Sequence, residues 1–478
     1  MTTPPFSSNS SPPALRISRR FLPFADVLSD ELPLSRLLRL SLFQFTAGMA
    51  LVLLNGTLNR VMVIELGIPV SLVAMMVALP VMFAPLRALI GHRSDQYRSV
   101  LGWRRVPFIW GGTLAQFGGF AIMPFALILL SGDSLGPAWL GTAAAALAFL
   151  LVGAGMHTAQ TAGLALATDI APEANRPRVV AMLYLMLLVG MMISSFVFAA
   201  LLQEFTQLRL IKVVQGAAAV TIVLNVIALW KQEARQPDLT RPDRDRPSFA
   251  QSWHALNQQP HTVRLLIAVA LGTLGFSMQD ILLEPYGGQV LGLSVSATTA
   301  LTALFAAGMI AAFTLSSRRL GDGADPIRLA GYGTLVGIFA FAAVILSSPL
   351  DSPALFRLGT FFIGFGGGFF AVGTLIAVMS LNAHNQNGIA LGAWGAVQAS
   401  AAGLAIAAGG GIRDLVAGMA LNGTLGSTLS GTSVGYGAVY YLEIFMLFAA
   451  LIALGPLANG TFERRNHLEP MGMPEFPA

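Results

Sequence analysis

Long apolar stretches separated by short polar ones follow one another along almost the whole chain. Twelve of them reach roughly 20 residues or more, the length with which a helix crosses a hydrocarbon core of about 30 Å. They predict membrane spans at 38–58, 68–90, 107–130, 138–166, 179–202, 210–230, 264–283, 295–316, 328–348, 354–380, 388–417 and 435–457. We therefore expect an all-α membrane protein with twelve transmembrane helices.

The polar stretches divide the chain into two six-helix halves. The longest of them is rich in proline and charge and reads as a linker rather than a folded domain. The predicted order is a cytoplasmic N-terminal tail with a short interfacial helix, an N-terminal half, a cytoplasmic linker, a C-terminal half and a cytoplasmic C-terminal tail, at 1–37, 38–230, 231–263, 264–458 and 459–478.

A weak internal repeat relates the two halves. Gly153, Gly155 and Leu164 of the fourth span recur 211 residues later as Gly364, Gly366 and Leu375 of the tenth. Repeats of this kind are typical of transporters built from two similar halves. The pattern predicts two pseudo-symmetric six-helix halves.

The basic residues predict the orientation. Of the 28 Lys and Arg residues, 23 fall at the end that carries both termini, and the other end has only Arg60, Arg209, Lys212, Arg357 and Arg413. Because basic residues concentrate on the cytoplasmic side, both termini are expected there. This also explains the net charge of +5 without a nucleic-acid partner.

Composition excludes several kinds of chemistry. The chain has no cysteine, so disulfides, iron–sulfur clusters and a cysteine nucleophile are excluded. Neither lysine, Lys212 or Lys231, follows a glycine-rich loop, which excludes a P-loop and ATP-driven pumping by this chain.

The polar loop after the second span carries a recognisable motif. In GHRSDQYRSVLGWRR (91–105) the motif consists of Gly91, Asp95, Gly102, Arg104 and Arg105. This pattern resembles the loop motif of the major facilitator superfamily, although extra residues separate the aspartate from the second glycine. The resemblance implies the major facilitator fold. We interpret the charges as an inner latch between the halves; the alternative is an ordinary basic loop.

A second connection carries similar charges. TDIAPEANRPR (168–178) places Asp169 and Arg176 at the inner mouth. They are either further latch charges or part of a solvated loop.

Longer segments are similar to a narrower group. The stretch 91–127, together with LNRVMVIELGIP (58–69), AGMHTAQTAGLALATDIAP (154–172), MQDILLEPYGGQVLGLSV (278–295) and ALGAWGAVQASAAG (390–403), resembles the bacteriochlorophyll delivery branch of that superfamily. This branch comprises the PucC and LhaA proteins of purple photosynthetic bacteria, and the resemblance covers about 38–458. Length and tail favour the LhaA type, which serves the core antenna, over PucC, which serves the peripheral antenna.

The resemblance implies a function and partners. We expect an assembly factor without enzymatic activity that binds bacteriochlorophyll as cargo or ligand, and no haem. Its expected partners are light-harvesting antenna polypeptides, the reaction-centre core, bacteriochlorophyll synthase and membrane lipids. It would reside in the inner, intracytoplasmic photosynthetic membrane.

A histidine lies in the middle of the fourth span. His157 precedes Asp169 by twelve residues, or about 18 Å of helix, and Gln160 and Thr161 follow it on the same face. Three interpretations stay open: a packed histidine bonded to its neighbours, an axial ligand to chlorophyll magnesium, or a proton site. No residue is predicted to bind a metal ion directly, apart from this contact with the pigment's magnesium.

Charged residues near the outer ends of the first and seventh spans suggest an outer gate. Asp280 and Glu284 are separated by one helical turn, and Arg60 and Glu65 lie at the end of the facing span. We expect Arg60 to pair with Asp280 or Glu284; the alternative is a static surface ion pair of little energetic value.

The alternative function is a proton-coupled major facilitator transporter of a small solute, using the two acids and His157. Such a carrier needs several polar side chains that converge on a central cavity near the middle of the membrane.

Overall fold

The structure of the chain is a computed structural model that describes residues 33–82, 90, 94, 103–131, 137–171, 176–233, 261–381 and 387–458. Within those residues all regular structure is helical. The predicted tails and linker therefore lie almost entirely outside the described residues.

Twelve helices follow the predicted spans in order. Their bounds, α1 to α12, are Leu34–Glu65, Val70–Met82, Val106–Leu130, Ala138–Ile170, Arg176–Leu201, Gln207–Leu229, Thr262–Gln289, Val295–Gly321, Pro326–Ser347, Pro353–Leu381, Asn387–Leu421 and Thr432–Ala458. Eleven of the described helices are long and apolar enough to cross a membrane, and the described part of α2 is shorter. The prediction of twelve helices in two halves is confirmed.

Several helices are longer than the predicted spans. Helix α4 has 33 residues, which corresponds to about 50 Å at 1.5 Å per residue. A hydrocarbon core is about 30 Å thick. Helix α4 begins at the first residue of its predicted span and extends beyond the last one, to Ile170.

Two helices change their winding near the same end of the bundle. In α1, Val52–Leu58 and Val61–Glu65 are π-helical. In α7, a 3-10 turn at Met278–Ile281 separates Thr262–Ser277 from Leu283–Gln289. We call the end of the bundle where α1, α7 and α11 finish the outer end, and the opposite end the inner end.

The interruption of α7 differs from the sequence prediction. The sequence suggested a break after Glu284, at Pro285 and Gly287–Gly288, yet helix continues through these residues to Gln289. Pro285 is the third residue of the last segment, where a missing backbone N–H costs nothing because the first helical N–H groups have no partner within the helix.

The glycine repeat reflects equivalent packing in the two halves. Gly155 lies against Gly112 of α3, and a Cβ added there would be 2.5 Å from the Gly112 carbonyl oxygen. Gly366 lies in the same way against Gly333 of α9, at 2.7 Å from its carbonyl oxygen. Close backbone approach explains why glycine recurs at both positions.

The two halves meet through pairs of helices. Helix α2 packs on α11, and α5 packs on α8. The core of the bundle is apolar along both halves, with large buried side chains such as Phe43, Phe120, Phe341 and Phe356. Polar side chains at the inter-half contacts are therefore exceptional and identify candidate functional positions.

Candidate functional site

Hydrogen bonds join the two halves at the outer end. The hydroxyls of Thr57 and Thr299 lie 3.2 Å apart, and the Asn59 side-chain amide donates to the Ile281 carbonyl at 2.9 Å. The Ser195 hydroxyl donates to the Thr299 carbonyl. All four polar side chains are fully buried.

An aspartate of one half caps a helix of the other. Asp414 of α11 accepts the backbone N–H of Ser71, in the first turn of α2, at 2.7 Å, and it accepts Arg413 at 2.8 Å. The first N–H groups of a helix lack partners within it and favour a negative charge. These hydrogen bonds between the halves all lie toward the outer end, and we call them the outer closure.

Arg60 has a different partner from the one expected. Its guanidinium pairs with Glu65 of the same helix at 2.5 Å and donates to the Leu293 carbonyl at 3.2 Å. The direct ion pair of Arg60 is thus with Glu65, and its predicted pairing with Asp280 or Glu284 as an outer gate stays a prediction. Residues five apart are about 140° apart around an α-helix, but the π-helical Val61–Glu65 brings them to one side.

Glu284 sits in the contact between α1, α7 and α8. The Thr302 hydroxyl donates to its Oε1 atom at 2.6 Å, and the carboxyl group touches Gly56 of α1. Its Oε2 atom is buried without a hydrogen-bond partner among the described residues. A side chain on Gly56 would displace this acid, so the π-helical glycine accommodates it.

Asp280 belongs to a second polar group, around the turn in α7. The Gln279 side-chain amide donates to Asp280, while the Gln279 backbone N–H donates to Glu443 of α12 at 2.6 Å. Glu443 is fully buried, and its Oε2 atom has no hydrogen-bond partner among the described residues. Asp280 and Glu284 thus have separate partners, because the 3-10 turn interrupts the one-turn spacing expected for them.

Glu443 is an acid within an apolar span, and its pattern in the sequence predicted no role for it. Its function as an acceptor for the interrupted α7 depends on the 3-10 turn, which frees a backbone N–H from the regular α-helical pattern. Periodicity alone does not reveal such a turn.

The polar residues of α4 contact α1 and their own helix. The Gln160 amide donates to the Gln44 side chain of α1 at 2.9 Å, and Gln160 is buried. The Thr161 hydroxyl donates to the His157 carbonyl at 2.8 Å, and His157 is half-buried. Of the three residues, the structure shows Gln160 bonded to α1 and Thr161 bonded within α4, and the three interpretations of His157 stay predictions.

A second mid-membrane network was only partly visible in the sequence. Thr46 donates to the Asn225 side-chain oxygen at 3.0 Å, and Asn225 donates to Thr113 at 2.9 Å. This ties α1, α6 and α3 together through fully buried groups. Asn225 was identifiable as a buried polar residue, but its partners come from distant parts of the chain.

The inner latch residues that the structure describes lie within the N-terminal half. Asp169 accepts Arg105 at 3.1 Å and lies 3.8 Å from Arg104. The carboxylate of Glu233, just after α6, accepts the backbone N–H groups of Arg104, Arg105 and Val106 at 2.7–3.1 Å. These bonds join the inner ends of α3, α4 and α6 to one another.

The remaining latch positions stay untested. Gly91, Asp95 and Gly102 lie outside the described residues, as does the side chain of Arg176. The predicted latch between halves therefore stays a prediction. The acceptor role of Glu233 was missed, because the helix start that it caps is 127 residues away in the sequence.

Solved structures define the class of protein. A bacterial homologue of the human lysosomal transporter Spinster, in an inward-facing and occupied conformation, superposes with a TM-score of 0.68 and 15% identity, covering 91% of this chain and 99% of that one. The nucleoside transporter NupG superposes with a TM-score of 0.65 and 13% identity, covering 88% and 99%. The chain has the fold of major facilitator transporters.

The family follows from sequence comparison. The model of the PUCC protein family matches residues 57–462, and the chain belongs to this family. A Rhodobacter capsulatus protein described as an uncharacterized protein in the puhA-bchM intergenic region is 54% identical, over 96% of this chain and 98% of that protein. Protein PucC of Rhodovulum sulfidophilum is 55% identical, over 81% and 87%.

A more distant relative is the bacteriochlorophyll synthase 44.5 kDa chain of Rhodobacter capsulatus, which is 26% identical over 88% of this chain and 95% of that protein. The chain is thus a multi-pass membrane protein whose family is connected with the photosynthetic complexes of purple bacteria.

Proposed function

We propose that the protein binds bacteriochlorophyll within the membrane and delivers it to light-harvesting antenna polypeptides, as a carrier rather than an enzyme. We favour the core antenna as its client. Its other partners would be the reaction-centre core and bacteriochlorophyll synthase. It would act in the intracytoplasmic photosynthetic membrane with both termini in the cytoplasm.

One structural observation supports an apolar cargo. Polar side chains at mid-depth bond to one another across helices, as in Gln44–Gln160 and Thr46–Asn225–Thr113. Polar groups engaged in this way stabilise the bundle and offer few contacts to a polar solute. A tetrapyrrole with a long hydrocarbon tail dissolves in lipid and needs mostly apolar contact.

His157 is the proposed ligand of the pigment. A neutral imidazole nitrogen can serve as the axial ligand of magnesium in the tetrapyrrole. His157 is half-buried in α4, while both of its ring nitrogens are buried, so ligation requires the neighbouring side chains to move aside as the pigment enters. The magnesium comes with the cargo and is not a resident metal of the protein.

A specific observation supports a second candidate, a proton-coupled transporter of a small solute. Glu284 and Glu443 each have one buried carboxyl oxygen without a hydrogen-bond partner among the described residues. Acids inside a membrane protein often carry protons in coupled transport. The test replaces both glutamates by glutamine. Loss of solute uptake in this variant, together with unchanged antenna content, would favour this function.

The delivery function is tested in cells that lack the protein. Membranes of a deletion strain should lose absorbance of the core antenna while the reaction-centre polypeptides are still made, and the wild-type gene should restore it. Loss of the peripheral antenna alone would identify that complex, and not the core antenna, as the client. Unchanged antenna content in the deletion strain would refute the proposal.

A further inference from the structure

A pocket of about 560 Å³ opens at the inner end of the N-terminal half, between the start of α1 and the end of α6. It is lined by Pro33, Ser35, Arg36, Arg39 and Lys231. Three of the five lining residues are therefore cations, and they come from parts of the chain almost 200 residues apart.

No carboxylate among the described residues forms an ion pair with these three cations. Arg36 donates to the Gln232 side-chain oxygen at 3.2 Å and to its carbonyl at 2.8 Å, which fixes α1 against the end of α6. The Nε atom of Arg39 is buried and has no hydrogen-bond partner among the described residues. Grouped cations without an anion repel one another and favour binding of a negatively charged group.

The surroundings of the pocket are amphipathic. Trp230, next to Lys231, is 61% exposed, and Leu38 of α1 is 40% exposed. Exposed tryptophan at the end of a span is typical of the boundary between headgroups and hydrocarbon. A ligand bound at the cations would therefore have apolar surface beside it.

We propose that this pocket binds the phosphate of an anionic phospholipid in the leaflet at the inner end, with Arg39 and Lys231 contacting the headgroup and Arg36 holding the pocket together. Arg side chains donate to phosphate oxygens through several N–H groups, and Lys contributes a point charge. The acyl chains would lie along the exposed apolar surface of α1 and α6. Basic pockets between membrane helices on the cytoplasmic side recognise anionic headgroups in this way.

The test compares two variants with the same change of charge. Full-length protein in neutral detergent is titrated with dioctanoyl-phosphatidylglycerol, and affinity is read from the rise in unfolding temperature with ligand concentration. Arg39→Gln with Lys231→Gln removes two pocket cations and leaves Arg36 in place. Arg318→Gln with Arg319→Gln removes two exposed cations from the inner end of α8.

We expect about a 25-fold weaker affinity in the pocket variant, because each basic residue near an anionic surface contributes about 1 kcal/mol, or roughly fivefold. The control variant should bind within about twofold of wild type. Arg39→Lys with Lys231→Arg, which keeps the charge, should retain most of the affinity and shows whether the site tolerates substitution.

Other ligands separate the remaining explanations. Dioctanoyl-phosphatidylcholine should bind weakly, because its headgroup has no net charge. If inorganic phosphate binds as tightly as phosphatidylglycerol, the pocket is a site for a free anion and not for a lipid. Equal affinity in the pocket variant and wild type, or equal losses in the pocket and control variants, would overturn the proposal.

Discussion

The outer closure predicts that a disulfide will form between Thr57→Cys on α1 and Thr299→Cys on α8. Their hydroxyls are 3.2 Å apart and both side chains are fully buried. The Cβ atoms are therefore at most about 6 Å apart, a small adjustment from the roughly 3.5–4.5 Å that a disulfide needs. Because the chain has no cysteine of its own, the two new thiols have only each other as partners.

The double substitution should leave the fold intact. A hydrogen bond between membrane helices contributes about 0.6 kcal/mol on average, and cysteine packs as a small apolar residue. Losing the threonine pair therefore costs less than about 1 kcal/mol, a small fraction of the stability of a typical folded protein.

Cleavage of the linker makes the cross-link visible. A protease site is inserted within 234–260, the protein is oxidised and cleaved, and the halves are separated on a denaturing gel without reductant. The two halves should migrate together until reductant is added. The control pair joins Thr57→Cys to Thr314→Cys, which lies 15 residues further along α8, or about 22 Å.

The control pair should give separate halves. Absence of a cross-link between positions 57 and 299, or equal cross-linking in both pairs, would refute the outer closure as described.

Three further substitutions test the packing of the N-terminal half by denaturation of the purified protein. Asn225→Leu removes two buried inter-helix hydrogen bonds and should destabilise by about 1–2 kcal/mol, since each contributes about 0.6 kcal/mol and the larger side chain must also be fitted. Glu233→Gln should cost about 0.5–2 kcal/mol, because the negative charge at the start of α3 is lost. Gly155→Leu should prevent stable folding, because a side chain there meets the backbone of α3.

Matched controls accompany these variants. Thr221→Val alters a hydroxyl that bonds only within α6, and Glu204→Gln alters an exposed ion pair; both should change stability by less than about 0.5 kcal/mol. Gly118→Ala on α3 meets open space and should be tolerated. Control losses as large as those of the test variants would contradict the assigned contacts.

The helices and their division into two halves could be predicted because they follow from local properties. Apolar length defines a span, and the repeat of Gly155 at Gly366 anticipated two halves with equivalent packing. Both glycines do lie against glycine of a neighbouring helix. Such features depend on few residues and leave a direct trace in the sequence.

Contacts that depend on irregular winding could not be predicted in the same way. Regular α-helical spacing puts Asp280 and Glu284 on one face and Arg60 away from Glu65. The 3-10 turn of α7 and the π-helical part of α1 reverse both expectations. The partners of these candidate residues thus depend on winding that the sequence pattern does not encode.

The most direct test of the proposed function is an absorption spectrum of the full-length protein purified from cells that make bacteriochlorophyll. The proposal predicts that the wild-type protein carries bacteriochlorophyll and that the His157→Ala variant loses it. The control variant Thr158→Val should keep the pigment, because the Thr158 hydroxyl bonds only to its own helix. Pigment retained in His157→Ala would show that His157 is not the ligand, while the proposed carrier function would stand. A colourless wild-type protein, which also takes up no added bacteriochlorophyll, would contradict pigment binding.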